Sequence, residues 1–434
     1  MVVGAVLLGG GEKLAVPDRL GDDLGVPVVT GDGLDEALAE GLRRFAPELV
    51  VDLSDEPVID ARLRLRLAAR VLAAGVPYRG ADFSFTPPPR PRLATKPSVA
   101  VIGTGKRTGK TAVSASLARL LAARGTPPVV VAMGRGGPPQ PELVDPATFD
   151  LSPAGLLALA ASGRHAASDH LEDAVVAGVA TVGTRRCGGG LAGAPFDSTF
   201  AAGVALGNSR PEPLLLLEGS GTAIPPVAAD ATICVVPATA DPELVTGYLG
   251  GYRVLLSDLI VVTMAEQTLP RSGATVRQSS ASPAGGSSET GLALLEKSVR
   301  GSAPGARVVH TVFRPSPLES IAGRRVFFVT TAPASARGLL VGHLEREHGC
   351  TIVGTSHHLA SRPELAADLE GAEGADVVLV ELKAAAVDCV ARFALERGIG
   401  VTFCDNQVVT TGGDGLFEEL ALSTADLAIA RYNS

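Results

Sequence analysis

Tryptophan is absent, and aromatic residues make up only 4% of this 434-residue chain. Proteins that stack nucleic-acid bases need such rings, so a base-stacking platform is not expected. Excess positive charge is also missing. Lys and Arg total 38 against 46 Asp and Glu, for a net charge of −8. That balance argues against a broad basic face for nucleic acid, although it leaves room for local cationic pockets. Cysteine is scarce and scattered, at Cys187, Cys234, Cys350, Cys389 and Cys404, with no C-x-x-C pair. Neither a zinc site nor a disulfide framework fits that spacing. No apolar run approaches the ~18 residues of a membrane span. The first residues, MVVGAVLLGGGEKLAV, lack the basic start of a signal peptide and read as a strand. A cytoplasmic protein with no nucleic-acid or membrane partner is expected.

Lysine is rarer still. Only Lys13, Lys96, Lys106, Lys110, Lys297 and Lys383 stand among the basic residues. A chain that uses arginine for ordinary surface charge places two of these lysines within five residues of each other. A compact ammonium on a flexible stem does different chemistry from a planar guanidinium.

At 434 residues the chain is too long for one core of ordinary size. Apolar runs alternate with helical stretches, which predicts an α/β protein: a central parallel-sheet P-loop NTPase domain flanked by smaller N- and C-terminal α/β units. Boundaries are expected at residues 1–95, 96–322 and 323–434. The first unit ends in FTPPPRPRLATKP, a stiff connector. In the second, SVAVIG, PPVVVAMG, PLLLLEG, ATICVVPA and DLIVVTMAE read as buried strands. Residues 278–289, QSSASPAGGSSE, read as a polar loop. RVFFVTTAP, CTIVGTS, DVVLVELK and GVTFCDN supply the strands of the last unit.

The two close lysines lie in VIGTGKRTGKTAVS, residues 101–114. A strand, a glycine turn and a helix opening at Gly-Lys-Thr are the context of a phosphate loop. Backbone N–H groups of Gly103, Thr104, Gly105, Lys106, Arg107, Thr108 and Gly109 can converge on an anion at the helix start. Lys110 can reach β- and γ-phosphate oxygens, and the Thr111 hydroxyl can ligate Mg²⁺. A simple capped turn would not need strand, spacing and Gly-Lys-Thr together. The usual G-x-x-x-x-G-K-[ST] pattern is missed by one residue, because glycine stands at position 103 and threonine at 104.

GTGKRTGKT has the length of the loop of dethiobiotin synthetase, which also carries the additional residue. The strand running into EGSG at Glu218 resembles that enzyme's turn, where a carboxylate holds the metal ion beside the γ-phosphate. Taken with VVVAMGRGGPP, TRRCGGG, DLSDEPV and GADFSFTPPPRPRL, the series resembles the cyclic 2,3-diphosphoglycerate synthetase family over most of the chain. The resemblance implies an enzyme that uses ATP and Mg²⁺ to close a ring between the two phosphates of 2,3-diphosphoglycerate, and a homodimer. It implies that Thr111 and Glu218 hold the metal and that Lys106, Lys110, Glu218 and Arg135 are catalytic.

Such a substrate brings several negative charges beside ATP. Each unit pair at 4 Å costs ~4 kcal/mol at an effective dielectric of ~20, so cations must offset it. Arg135 follows a strand, and Arg185 and Arg186 precede three glycines. With His357 they are the expected substrate contacts. SDHLEDA, residues 168–174, could add a metal ligand through Asp169 or Asp173, but reads more simply as a solvated helix start. Lys383 and Asp405 end strands and are placed at ligand-facing edges. Two other readings stay open: a kinase or ligase for another small phosphorylated acid such as 2-phosphoglycerate, and a P-loop nucleotide switch. The cysteine spacing disfavours a metallochaperone.

Overall fold

The computed structural model describes residues 1–8, 20–31, 33–166, 168–268 and 291–434. Lys13 and the polar stretch 278–289 therefore lie outside the described residues.

Among the described residues the N-terminal unit has five short strands: β1 (Ala5–Val6), β2 (Val28–Val29), β3 (Val50–Val51), β4 (Tyr78–Arg79) and β5 (Ser84–Phe85). They form two small sheets, β1-β2 and β3-β4-β5. The helix Ala61–Ala73 is capped by the Asp60 side chain, which accepts from Leu63 N–H. Its Leu67, Ala68, Val71 and Leu72 join one core with Val129, Val131, Leu215 and Ile260 of the large sheet.

Among the described residues that large sheet has 13 strands, and it runs through both remaining units. Its strands are β6 (Ser98–Gly103), β7 (Pro128–Gly134), β8 (Glu142–Val144), β9 (Thr181–Cys187), β10 (Asp197–Ser198), β11 (Leu214–Glu218), β12 (Ala231–Pro237), β13 (Leu259–Thr263), β14 (Arg307–Pro317), β15 (Arg325–Val329), β16 (Thr351–Ser356), β17 (Val377–Glu381) and β18 (Gly400–Gly413). The order is β10-β9-β7-β11-β6-β12-β13-β14-β18-β17-β15-β16, with β8 on β9. A parallel block, β9 to β14, meets a second parallel block, β18 to β16, across one antiparallel seam, β14 against β18. The mostly parallel α/β architecture expected from the strand–helix rhythm is therefore present.

Strand periodicity divides the core between two faces. Ile102, Val131, Leu217 and Val236 point to one side, while Val101, Val130, Leu216 and Val235 point to the other. The second side is covered by the helix Lys110–Ala123, whose Val113, Leu117 and Leu121 are fully buried. Gly125, at φ +82°, ends this helix as expected from its sequence. The C-terminal helix Phe417–Tyr432 returns to the same face and buries Phe417, Ala421, Ala425 and Ala428. The last segment of the chain thus packs beside the P-loop helix.

Candidate active site

Register sets the site. In the adjacent strands β9, β7, β11 and β6, Arg185 is paired with Gly134, and Glu218 with both Ala132 and Val101. Gly103, Glu218, Gly134 and Arg185 consequently cluster along one carboxyl edge, where parallel α/β sheets bind their ligands.

The loop between β6 and its helix is shaped by two left-handed residues, Arg107 at φ +61° and Gly109 at φ +94°. Gly109 also packs against Phe313, so a Cβ there would lie 2.2 Å from the ring. The loop is tied to neighbouring strands. Thr104 N–H donates to Val235 O (3.2 Å), and Thr263 Oγ1 donates to Thr108 O (2.8 Å). Lys106 and Arg107 are exposed, and Thr111 is half-buried at the helix start.

Lys110 Nζ donates to Gly105 O (2.8 Å) and Gly221 O (3.0 Å). Burial lowers its pKa to about 8 against the pull of Glu218 and Asp169. The Gly221 contact is one of three on consecutive carbonyls: Arg186 Nη2 donates to Ser220 O (2.8 Å), and Arg253 Nη2 to Thr222 O (2.6 Å). Three cations therefore hold the turn after Glu218 by its backbone. The sequence singled out Lys110 and Arg186 but missed Arg253.

Glu218 is 3% exposed, and burial pushes its carboxyl up to about 7 despite the Ser114 hydroxyl beside it. Its Oε1, both carboxyl oxygens of Asp173 and Thr108 Oγ1 are buried without a hydrogen-bond partner. Asp173 belongs to the helix Asp169–Ala177, in the segment expected to be a solvated helix start. The structure differs: Asp173 is 1% exposed, Glu172 8% and His170 5%. The helix packs on β7, β9 and the P-loop helix, so that only Asp169, at its start, remains exposed. Burial, with Glu218, Glu172 and Asp169 nearby, holds the Asp173 carboxyl well above the usual range. Asp169 is exposed at the helix start, yet protein atoms crowd its carboxyl closely enough that desolvation raises its pKa against the pull of Lys110, Lys383, His165 and Lys106.

Asp169 opens onto a cavity of about 150 Å³, lined also by Gly134, Gly136, Gly137, His165, Ser168 and His170. The expected anion-binding arginines border this region. Arg185 Nε donates to Gly137 O (2.6 Å), and exposed Arg135 lies near enough to Arg186 to disfavour that guanidinium's charged form, in addition to burial. Arg185 and Arg186 sit on strand β9 instead of in a surface loop. His357 is in the C-terminal unit, where its Nδ1 meets Ala332 O at 2.9 Å. That bond lies within the C-terminal unit. Lys96 holds the carbonyls of Arg210 and Glu212 (2.7 and 2.8 Å), a structural role. A larger cavity of about 680 Å³ is lined wholly by N-terminal residues, among them Asp52, Arg64 and Phe83.

The residues present fit a magnesium ion with phosphate ligands. Among the described residues no group of three or more His, Cys, Asp and Glu side chains could hold a metal alone. Mg²⁺ in phosphoryl-transfer sites takes one or two carboxylates, with the remaining ligands from phosphates and water. The orphaned Glu218 oxygen beside the phosphate loop matches that need.

A buried parallel sheet, a glycine loop opening a helix at Lys110 and a carboxylate on the adjacent strand define a P-loop nucleotide-binding protein. Three family models match the chain: the cyclic 2,3-diphosphoglycerate synthetase N-terminal domain at residues 1–86, its P-loop domain at 98–276 and its C-terminal domain at 317–407. Curated cyclic 2,3-diphosphoglycerate synthetases are similar throughout. That of Rubrobacter xylanophilus is 46% identical over 96% of this chain and 90% of its own length. Those of Methanothermobacter thermautotrophicus and Methanothermus fervidus are 42% and 40% identical, over 99% and 100% of this chain and 90% and 92% of their own lengths. The chain belongs to the cyclic 2,3-diphosphoglycerate synthetase family.

Proposed function

We propose that this protein uses ATP and Mg²⁺ to close 2,3-diphosphoglycerate into its cyclic phosphoanhydride, releasing ADP and phosphate. The observation that carries this reading is the alignment of Gly103, Glu218, Gly134 and Arg185 along one strand edge, with Lys110 opening the next helix, in a chain similar to named synthetases from end to end. In the proposed reaction a substrate phosphate oxygen attacks the γ-phosphorus of ATP, and ADP leaves. The second phosphate then attacks the inner phosphorus of the resulting pyrophosphate and expels inorganic phosphate. Such chemistry depends mainly on alignment and charge stabilisation.

In this reading residues 103–111 bind ATP through loop N–H groups, and Lys110 exchanges its carbonyl partners for phosphate oxygens. Lys106 and Arg135 neutralise charge between ATP and the acceptor. Arg135, Arg185, Arg186 and His357 bind the acidic substrate, and Thr111 and Glu218 hold Mg²⁺. A bound Mg²⁺ would screen the γ-phosphate and the incoming anion. Asp169, at the cavity beside them, joins this set. The functional units are proposed at 1–95, 96–322 and 323–434, in a cytoplasmic homodimer. Among the described residues no helix is long and apolar enough to cross a membrane.

Phosphorus NMR of a reaction with ATP, Mg²⁺ and 2,3-diphosphoglycerate tests the reading. An upfield cyclic pyrophosphate signal is expected, with ADP and phosphate appearing in equal amounts. Turnover of 2-phosphoglycerate with no cyclic product would instead favour a kinase.

A further inference from the structure

The helix Asp169–Ala177 carries three carboxylates toward the nucleotide site, and Glu218 adds a fourth. Like charges this close repel one another, so the array needs cations to hold its shape. One comes from outside the P-loop unit. Lys383 follows β17 in the C-terminal unit, and its Nζ lies 3.3 Å from Glu172 Oε1. The next residue, Ala384, has φ +47°, a left-handed turn that an alanine adopts only under constraint. The turn sends the chain into the segment Ala386–Ala391 and leaves Lys383 facing the P-loop unit.

Lys383 is held on its own side as well. Its ammonium is favoured by Glu172, Glu381 and Asp405 despite burial. Glu381 is 5% exposed and fixed by Thr330 Oγ1 (2.8 Å) and by Thr331 through its hydroxyl (2.7 Å) and N–H (3.1 Å). Asp405 reaches the P-loop helix, where Arg119 Nη2 meets it at 2.5 Å. Two ion pairs from the C-terminal unit therefore land on the two helices that flank the phosphate loop. Arg119 also donates to the backbone of the carboxylate helix, at Val176 O (3.0 Å), whereas Lys383 pairs with one of its carboxylates. Glu172 stands one residue from Asp173 and three from Asp169.

We propose that Lys383 is a positioning residue: by pairing with Glu172 it holds the carboxylate helix so that Asp169 faces the phosphate loop, and it makes the C-terminal unit a working part of the nucleotide site. This rests on the reaction proposed above for its turnover arm only. The Lys383 ammonium touches no reacting atom. It acts through Glu172 and the helix that carries it.

Lys383→Met, Lys383→Arg and the double variant Glu172→Gln/Lys383→Met test this against the unmodified protein. One readout is the Mg²⁺ dependence of binding a fluorescent ADP analogue, which needs no acceptor. The other is turnover of ATP with 2,3-diphosphoglycerate. Lys383→Met is expected to raise the Mg²⁺ needed for half-maximal binding by about tenfold and to lower kcat to a similar extent, the usual scale for losing an outer partner of a metal site. The acceptor KM should stay within about twofold, because no substrate contact is lost. Lys383→Arg should keep most function. The double variant removes both charges and should recover most of the loss. Should Lys383→Met fail to fold, the double variant carries the comparison, and a near-normal Mg²⁺ dependence is required of it. An unchanged Mg²⁺ dependence in folded Lys383→Met overturns the proposal. So does an effect confined to the acceptor KM, or a double variant no better than the single. If the unmodified protein binds ADP but does not turn over 2,3-diphosphoglycerate, the reaction fails while the binding arm still decides on Lys383.

Discussion

Replacing Glu218 with glutamine should stabilise the nucleotide-free protein and abolish its activity. The Glu218 carboxyl is buried against the Asp173 carboxyl, close enough for the two to share a proton. Burial raises the Glu218 pKa from its ordinary 4.5 to about 7. Below about pH 4.5 the group is protonated in both the folded and the unfolded chain, and its contribution to stability is fully present. As pH rises toward 7, the unfolded chain releases the proton first, so wild-type stability falls. At ~1.4 kcal/mol per pH unit the loss is bounded near 3 kcal/mol, and a proton shared with Asp173 brings it to about 1–3 kcal/mol. Glutamine does not titrate, and its amide can donate to Asp173. Calorimetric unfolding without Mg²⁺ or nucleotide should therefore find the two proteins alike near pH 5, with Glu218→Gln the more stable near pH 8. Turnover of ATP should fall by ~10² or more, the scale of losing one preorganised charge at a reacting phosphate. A variant less stable than wild type at pH 8, or a stability difference independent of pH, would refute the burial argument. Retained turnover would refute the metal assignment.

Two further substitutions probe the loop. Lys110→Ala should keep the fold, since it removes a buried ammonium bonded only to carbonyls, yet abolish substrate-dependent ADP release in a coupled assay; turnover within about tenfold of wild type would sink the site assignment. Gly109→Ala must place a Cβ at φ +94° and 2.2 Å from Phe313, for a combined cost of about 2–4 kcal/mol seen as a lower unfolding midpoint. Adding Phe313→Leu should return the steric part and leave the backbone part, and no recovery in that pair would mean the clash is relieved in another way.

The sequence exposed the parts whose cause is local. Unbroken apolar runs such as SVAVIG and LLLLE mark strands buried on both faces, and a glycine turn before Gly-Lys-Thr marks the phosphate loop. What stayed hidden depends on neighbours distant in sequence. Arg253 reads as an ordinary helix arginine until the fold sets it on Thr222 O, 31 residues away. The segment SDHLEDA reads as solvated because four of its seven residues are charged or titratable. Packing on β7, β9 and the P-loop helix buries it from His170 onward. One signal was available: a nine-residue helix between two buried strands has little room for a solvent face. The continuous sheet was also out of reach, because it depends on the seam between β14 and β18 and their long antiparallel register. Strand β18 runs to 14 residues, well past the GVTFCDN segment read from its apolar pattern.

The location of these charges follows from the substrate problem. A site for ATP and a doubly phosphorylated acid would be expected to carry cations alone, yet Asp169, Glu172, Asp173 and Glu218 crowd behind the phosphate loop. In the proposed reaction these carboxylates would repel the substrate unless a divalent cation lay between them, so metal and polyanion would arrive together. Lys110 fits that order of events. In the empty protein it bonds two carbonyls, and burial disfavours its charge. In the proposed reaction an arriving phosphate would add to the counter-charge that Glu218 and Asp169 give this lysine, and a bound metal would do the same for Glu218. Two groups of opposite sign, each penalised by burial, would thus both be relieved by one metal–nucleotide complex. That relief contributes binding energy without any additional contact. Neutralising either group should therefore weaken metal–nucleotide binding while leaving the empty fold intact.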